Sequence, residues 1–317
     1  MSRAMRAAVL PAHGAVPEFG DFDDPTPADG QEVLTVLAGG LNPVDIRIAG
    51  GNFPSERREP PYVPGKEGIG RREDGTRVYF DSSVAPFGSF AERTLIEASH
   101  GIPIPDGLDE GVAVSLGIAG LAAWLGLEWR GELQPGETVL VLGASGVVGQ
   151  IAVQAARLLG AGRVVAAARS AGGLERATAL GADATVRLGE DGDLTAAFTE
   201  AAGGGIDVVI DPLWGEPGVA AMEASKRFTR HVALGQSAGV TAPVSVATVR
   251  NKPLSIVGHT NYAIPFEDQQ AAYAEMCAHA AEGRLTADVE AVPLADVASA
   301  WERLRAGSPG AKLVVVP

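Results

Sequence analysis

The chain has 317 residues, 46% hydrophobic and 20% charged, with 25 basic against 39 acidic side chains and a net charge of −14. That length exceeds what one small core needs, and predicts two domains or one domain inserted in another. So acidic a surface repels nucleic acid and anionic membranes, which makes both poor partners. The single cysteine, Cys277, rules out an intrachain disulfide and fits a reducing compartment. Its surroundings, "AAYAEMCAHA", read as a helix with a packed thiol. The N-terminus resembles no secretion signal. The longest uncharged run, "GVAVSLGIAGLAAWLGL" at 111–127, is short for a membrane span and carries four glycines. It reads as a buried helix joining two domains, and a soluble, cytoplasmic protein is expected.

Residues 1–110 are strand-rich and punctuated by Gly and Pro. "MRAAVL", "EVLTVLAGG", "TRVYF" and "SFAERTLI" are short β-like runs, separated by "DDPTPADG" and "PPYVPGKEG". From about 137 the texture alternates. "ETVLVL", "RVVAAA", "ATVRL", "IDVVID", "HVALG" and "LSIVG" are strand candidates. Between them lie helical segments at 147–159, "GGLERATAL", "LTAAFTEAA" and "GVAAMEASKRF". Such alternation predicts an α/β fold with a parallel, doubly wound sheet of six strands. The chain closes with two more helices, "FEDQQAAYAEMCAHAAEG" and "PLADVASAWERLRAG", and a strand "AKLVVV" that could complete the first, strand-rich domain.

Between "ETVLV" and the apolar-faced helix stands "LGASGVVG". The three positions of the dinucleotide fingerprint fall at Ala144, Gly146 and Gly149. Gly146 would let a pyrophosphate approach the backbone, and Gly149 would let the helix lie close to the sheet. Amides of Ala144, Ser145, Gly146, Val147, Val148 and Gly149 would supply donors at the positive end of the helix. A bare structural corner is the alternative. Some twenty residues on, an NAD site wants an acid for the ribose 2′-hydroxyl. Here "AAARS" offers Arg169 and Ser170 instead. An arginine would pair with a 2′-phosphate, so NADP is the expected cofactor; the alternative is a solvated arginine.

Several segments together resemble the medium-chain dehydrogenase/reductase superfamily, in its zinc-free quinone oxidoreductase branch. They are "LAGGLNPVDIRIAGG" (37–51), "PPYVPGKEGIGR" (60–71), "GSFAERTLI" (88–96), "VLVLGASGVVGQIAVQAARLLGA" (139–161), "ALGADATV" (179–186), "IDVVID" (206–211) and the C-terminal "PLADVASAWERLRAGSPGAKLVV". The resemblance implies a GroES-like, mostly-β catalytic domain at 1–116 completed by 261–317, a Rossmann domain at 117–260, and a homodimer. One cysteine cannot make a four-cysteine zinc site. Where zinc-dependent relatives carry a Cys and a His, this chain has Gly39 or Gly40 and Lys66, so no metal is expected. Without a Lewis acid the expected chemistry is hydride delivery from NADPH to a small electrophile: a quinone, an α,β-unsaturated carbonyl or an imine.

The resemblance also places Asn42 and Asp45, in "NPVD", toward the nicotinamide. Asn42 would bond the carboxamide or the substrate, and Asp45 would serve there or orient a loop. Lys66 would put a cation near the developing oxyanion or donate its proton, or would instead pair with Glu67 or Asp45 or stand solvated in a loop. Gly235 would edge the cofactor groove. Gly258, His259 and Tyr262, in "GHTNY", would lie by the nicotinamide half, with Tyr262 a candidate proton donor. The chain departs from the family pattern at Arg47, Ala49, Phe53 and Ala122, which alters the expected acceptor pocket. Two other readings stand beside the leading one: reduction of an imine or enoyl thioester, and NADPH binding without turnover.

Overall fold

Runs rich in Val, Ile, Leu and Ala form strands buried on both faces, as a sheet sandwiched between helices requires. Thr138–Leu142 and Ile206–Asp211 are the clearest examples, buried almost along their whole length. The computed structural model describes residues 4–51, 53, 56–190, 192–307 and 309–317. They pack as two units: Met1–Ile118 with Cys277–Pro317, and Ala119–Met276. The sequence places the second boundary after residue 260, whereas packing assigns most of the helix Phe266–Ala281 to the second unit.

In the second unit six strands lie in the spatial order Ala184–Arg187, Arg163–Ala168, Thr138–Leu142, Ile206–Asp211, Ser225–Ala233, Ser255–Gly258, all parallel. Numbered along the chain this is 3-2-1-4-5-6, the Rossmann order, which reverses between the first and fourth strands. Leu140, Val165, Phe198 and Val209 centre one core of this sheet, and full burial of each such side chain contributes about 1.5–3 kcal/mol. The stretch "GVAAMEASKRF", expected to be helical throughout, divides: the helix is Gly215–Ala224 and Ser225 already begins the next strand. Lys226, Arg227 and Phe228 belong to that strand.

The first unit is mostly antiparallel. Its seven-stranded sheet runs Val289–Pro293, Lys312–Val316, Gln31–Gly40, Glu67–Arg71, Arg77–Phe80, Ile102–Pro103, with Arg93–Glu97 also on Gln31–Gly40. The C-terminal strand pairs antiparallel with Gln31–Gly40, Val314 opposite Gly40 and Val315 opposite Gly39. A ribbon of Ala4–Val9 and Glu18–Asp23 stands beside it. Glu67–Arg71, "EGIGR", does not read as a strand because Gly68 and Gly70 lack strand propensity. The structure gives them a reason. A Cβ on Gly68 would lie 2.7 Å from Phe80 and 2.8 Å from the Ala38 carbonyl, and one on Gly70 would lie 2.8 Å from Leu34. The architecture is therefore a GroES-like unit and a Rossmann unit. Glu110–Arg130 is, among the described residues, the one helical stretch long and apolar enough to cross a membrane, and it is largely buried within the protein.

Candidate active site

The corner after Thr138–Leu142 is shaped by glycines. Gly143 takes a left-handed conformation, φ 65°. At Gly149 a Cβ would stand 2.4 Å from the Gly143 carbonyl oxygen and 2.6 Å from the Ala144 Cα. Only glycine lets the helix Val147–Leu158 start so close to the strand end. Gly146 caps that helix without a side-chain bond. The amides of Ala144 and Gly146, expected to serve as ligand donors, are already engaged: they donate to Ala167 O (2.9 Å) and Gly143 O (3.0 Å). The first helical amides, of Val147, Val148 and Gly149, have no intrahelical partner. Beside Ser145 at the tip, nothing but a glycine fits at 173, where a Cβ would lie 2.4 Å from that of Ser145. The corner thus offers a backbone cradle and a helix terminus to an anion, which fits a dinucleotide pyrophosphate.

The strand Arg163–Ala168 delivers Arg169 and Ser170 into solvent. The Ser170 hydroxyl oxygen accepts from Gly173 N at 3.2 Å and caps the helix Ala171–Ala179. Arg169 has no ion pair among the described residues, which leaves its guanidinium available to a phosphate. Gly235 and Gly258 lie exposed just past the end of Ser225–Ala233 and at the end of Ser255–Gly258. Gly258 O accepts from Arg130 Nε at 2.8 Å. His259 Nε2 is 3.2 Å from Asn261 Oδ1, and burial holds the imidazole below its ordinary pKa. Tyr262 follows in the short turn Asn261–Ala263, half exposed.

In the first unit the predicted residues fall into one buried polar network. Asp45 accepts from Asn42 N at 2.7 Å on one oxygen and from Lys66 N at 2.8 Å on the other. Asp45 therefore ties the helix Pro43–Ala49 to the segment before Glu67–Arg71. Desolvation by burial pushes its pKa up to about 6, against the pull of those two amides. Both amide hydrogens of Asn42 are engaged, on Gly40 O (3.0 Å) and Glu67 Oε1 (2.8 Å), while Oδ1 accepts from Lys312 Nζ at 2.6 Å. Lys312 Nζ also lies 2.6 Å from Glu67 Oε1. The other Glu67 oxygen accepts from Tyr79 OH (3.0 Å) and from Ile118 N (2.6 Å), an amide available where the helical stretch is broken at Gly117. A Cβ on Gly40 would meet Glu67 Oε1 at 2.7 Å and Lys312 Cε at 3.0 Å, so the glycine makes room for this ion pair. Sequence reasoning missed Lys312 altogether. The available signal was scarcity: the chain has four lysines, and this one sits inside an apolar strand.

The Lys66 ammonium has a partner that was not weighed from the sequence. Its Nζ is 2.6 Å from Glu56 Oε1, with the two side chains 4% and 18% exposed. Asp45, Glu56, Arg58, Tyr62 and Lys66 line a cavity of about 10 Å³, room for one water. The Tyr62 hydroxyl is buried there with no partner among the described residues, and burial pushes its pKa up to about 12. Arg58 donates to Phe87 O (2.6 Å) and Ser83 O (3.1 Å). Of the departures noted in sequence, Arg47 and Phe53 account for each other: the guanidinium carbon stands 5.3 Å from the ring centre. Of the nearby loop, residues 52, 54 and 55 lie outside the described residues.

Zinc fits poorly among these side chains. Gly39 and Gly40 offer no donor, and the Lys66 ammonium is ion-paired to Glu56. Among the described residues no group of three His, Cys, Asp or Glu is placed to hold a metal.

A GroES-like unit with a Rossmann unit is the two-domain architecture of the medium-chain dehydrogenase/reductase fold. Residues 147–280 match the family model described as zinc-binding dehydrogenase. The chain is 30% identical to quinone oxidoreductase-like protein 2 of Bos taurus, over 74% of this chain and 69% of that one. The quinone oxidoreductase of Thermus thermophilus, solved also in complex with NADPH, superposes with a TM-score of 0.83 at 30% identity, covering 99% of this chain and 100% of that one. A phenolphthiocerol/phthiocerol polyketide synthase polypeptide of Mycobacterium tuberculosis is 31% identical over 91% of this chain, which spans only 14% of that much longer protein. The chain belongs to the medium-chain dehydrogenase/reductase superfamily, in its quinone oxidoreductase-like branch.

Proposed function

We propose that the chain is a zinc-free reductase that passes hydride from NADPH to a quinone or an α,β-unsaturated carbonyl. Membership of its branch and the NADPH complex of a solved relative support NADPH-dependent hydride transfer; the acceptor is our own reading. The observation that carries it is the buried Lys66 ammonium, held by Glu56 beside a water-sized cavity, at the position where zinc-dependent relatives place a metal ligand. The backbone at 145–149, with Arg169 and Ser170, would hold NADPH, which when bound supplies the hydride. The chain's own residues do the rest. An oxyanion develops on the acceptor as its double bond is reduced, and a fixed cation in a water-poor setting stabilises it. Lys66 carries that cation and a proton to give. Asp45 fixes the Lys66 backbone and that of Asn42, and Asn42 offers the second lone pair of Oδ1. Tyr262 is a second candidate donor.

NADPH consumption with a panel of quinones, enones, cyclic imines and enoyl thioesters tests this reading. Turnover of quinones or enones that drops at least about tenfold in Lys66→Met supports it; full turnover in that variant removes Lys66 from the chemistry. An enoyl thioester as the preferred acceptor is the second reading, and the similarity to a polyketide synthase polypeptide favours it. Tight NADPH binding with no consumption across the panel would instead mark a non-catalytic NADPH-binding protein. The same proposal includes a homodimer through the open sheet edge Ser255–Gly258, where Ile256 is exposed; sedimentation of the purified chain checks it.

A further inference from the structure

The turn that follows Ile206–Asp211 is pinned by a buried carboxylate–imidazole pair. Asp211 and His231 are both fully buried, with His231 Nε2 2.8 Å from Asp211 Oδ2. Oδ1 accepts from the amides of Leu213 (2.8 Å) and Trp214 (2.7 Å). With a carboxylate as the common acceptor, Nε2 is the third donor. His231 Nδ1 has no partner among the described residues. Trp214 sits at φ 56°, a left-handed conformation that a large side chain adopts only where its surroundings impose it. Its ring meets the imidazole edge-on at 6.0 Å. Gly218 leaves the necessary space, because a Cβ there would lie 2.7 Å from Asp211 Oδ2.

The pinned turn reaches two neighbouring strand ends. A Cβ on Gly143 would stand 3.2 Å from Leu213 and 3.3 Å from Pro212, so these two side chains wall the glycine corner. Pro212 O accepts from Ser237 Oγ at 3.1 Å, and Ala238 N donates to Leu213 O at 2.8 Å. The turn therefore sits where the strand order reverses, the place at which doubly wound sheets bind ligands.

We propose that Asp211 and His231 are positioning residues for NADPH. They hold the turn 212–215 against Gly143, so that the phosphate-binding backbone keeps its shape, and they act through that turn without touching the cofactor. This rests on the cofactor reading of the corner.

Fluorescence titration of the purified full chain with NADPH tests it. His231→Leu should raise the Kd at least about tenfold, at a temperature where circular dichroism finds the variant folded. His231→Gln, which keeps a donor at similar reach, should stay within about threefold of the parent. Val164→Ala trims the same sheet at the far ends of its strands, where Val164 stands opposite Val139, and should leave Kd unchanged. If His231→Leu does not fold, Gly218→Ala is read in its place, since it crowds Oδ2, and the same weakening is expected. A Kd within about threefold of the parent in the decisive variant, or equal weakening in Val164→Ala, overturns the proposal. A parent chain that binds no NADPH removes the cofactor reading itself; unchanged affinity on a parent that binds sinks this inference alone.

Discussion

Glu67 and Lys312, 245 residues apart, meet at 2.6 Å with both side chains almost wholly buried. The pair is held within a network: Asn42 bridges it, and Tyr79 and Ile118 occupy the remaining carboxylate oxygen. Removing one partner leaves an uncompensated charge in a site water cannot reach. Lys312→Met should therefore destabilise the first unit by about 3–5 kcal/mol. Adding Glu67→Gln should recover part of that loss, because Gln keeps an acceptor oxygen without the charge. Urea unfolding of the single and double variants checks this, and a single variant as stable as the parent refutes it.

Asp45 gives a pH dependence of known sign. Burial raises its folded pKa to about 6, above the ordinary value of 3.8. Between those values the native state holds a proton that the unfolded chain has released. Its contribution to stability is thus greatest below about pH 4 and is lost as pH rises through 6, by about 3 kcal/mol in all. In Asp45→Asn that difference should vanish. Stability of the two proteins compared from pH 4 to 7 would decide it, and parallel curves would rule out the shift.

Arg169 stands exposed where the 2′-phosphate is expected, with no ion pair among the described residues. Its replacement by Asp should erase any preference for NADPH over NADH, a change of roughly tenfold to a hundredfold in the ratio of dissociation constants. An unchanged ratio would mean that the arginine is merely solvated.

Gly149→Ala should cost both stability and cofactor affinity, since its Cβ would fall 2.4 Å from the Gly143 carbonyl. Overpacking of this kind costs about 1–3 kcal/mol. The helix start must withdraw from the strand end, carrying its free amides with it. Calorimetry with NADPH on the folded variant measures the second effect; parental affinity would mean the corner tolerates the shift.

The strands Thr138–Leu142 and Ile206–Asp211 were legible because each is a compact run rich in Val, Ile and Leu, bounded by Gly or Pro; the start of Ser225–Ala233, polar and directly after a helix, was not. The glycine corner was legible because spacing and context agree. Other features were hidden for physical reasons. Glu67–Arg71 carries glycines that close packing demands and strand propensity disfavours. Lys66 pairs with Glu56, ten positions earlier in a loop with no periodicity, which sequence adjacency could not indicate. Asn42 was readable as a site residue, yet its amide hydrogens are bound within the protein. No local pattern reports that. Lys312 reaches Glu67 only through the pairing of the last strand with Gln31–Gly40.

That pairing sets an order of events during synthesis. At about 5–20 residues per second, the ribosome makes Glu67 about 12–50 s before the lysine that neutralises it. Through that interval the nascent chain holds an anion with no counter-charge and an open edge on Gln31–Gly40. The nucleotide-binding unit is translated whole in the meantime and can mature first. The earlier-made unit must wait for the final strand, and so the N-terminal residues are the last to settle.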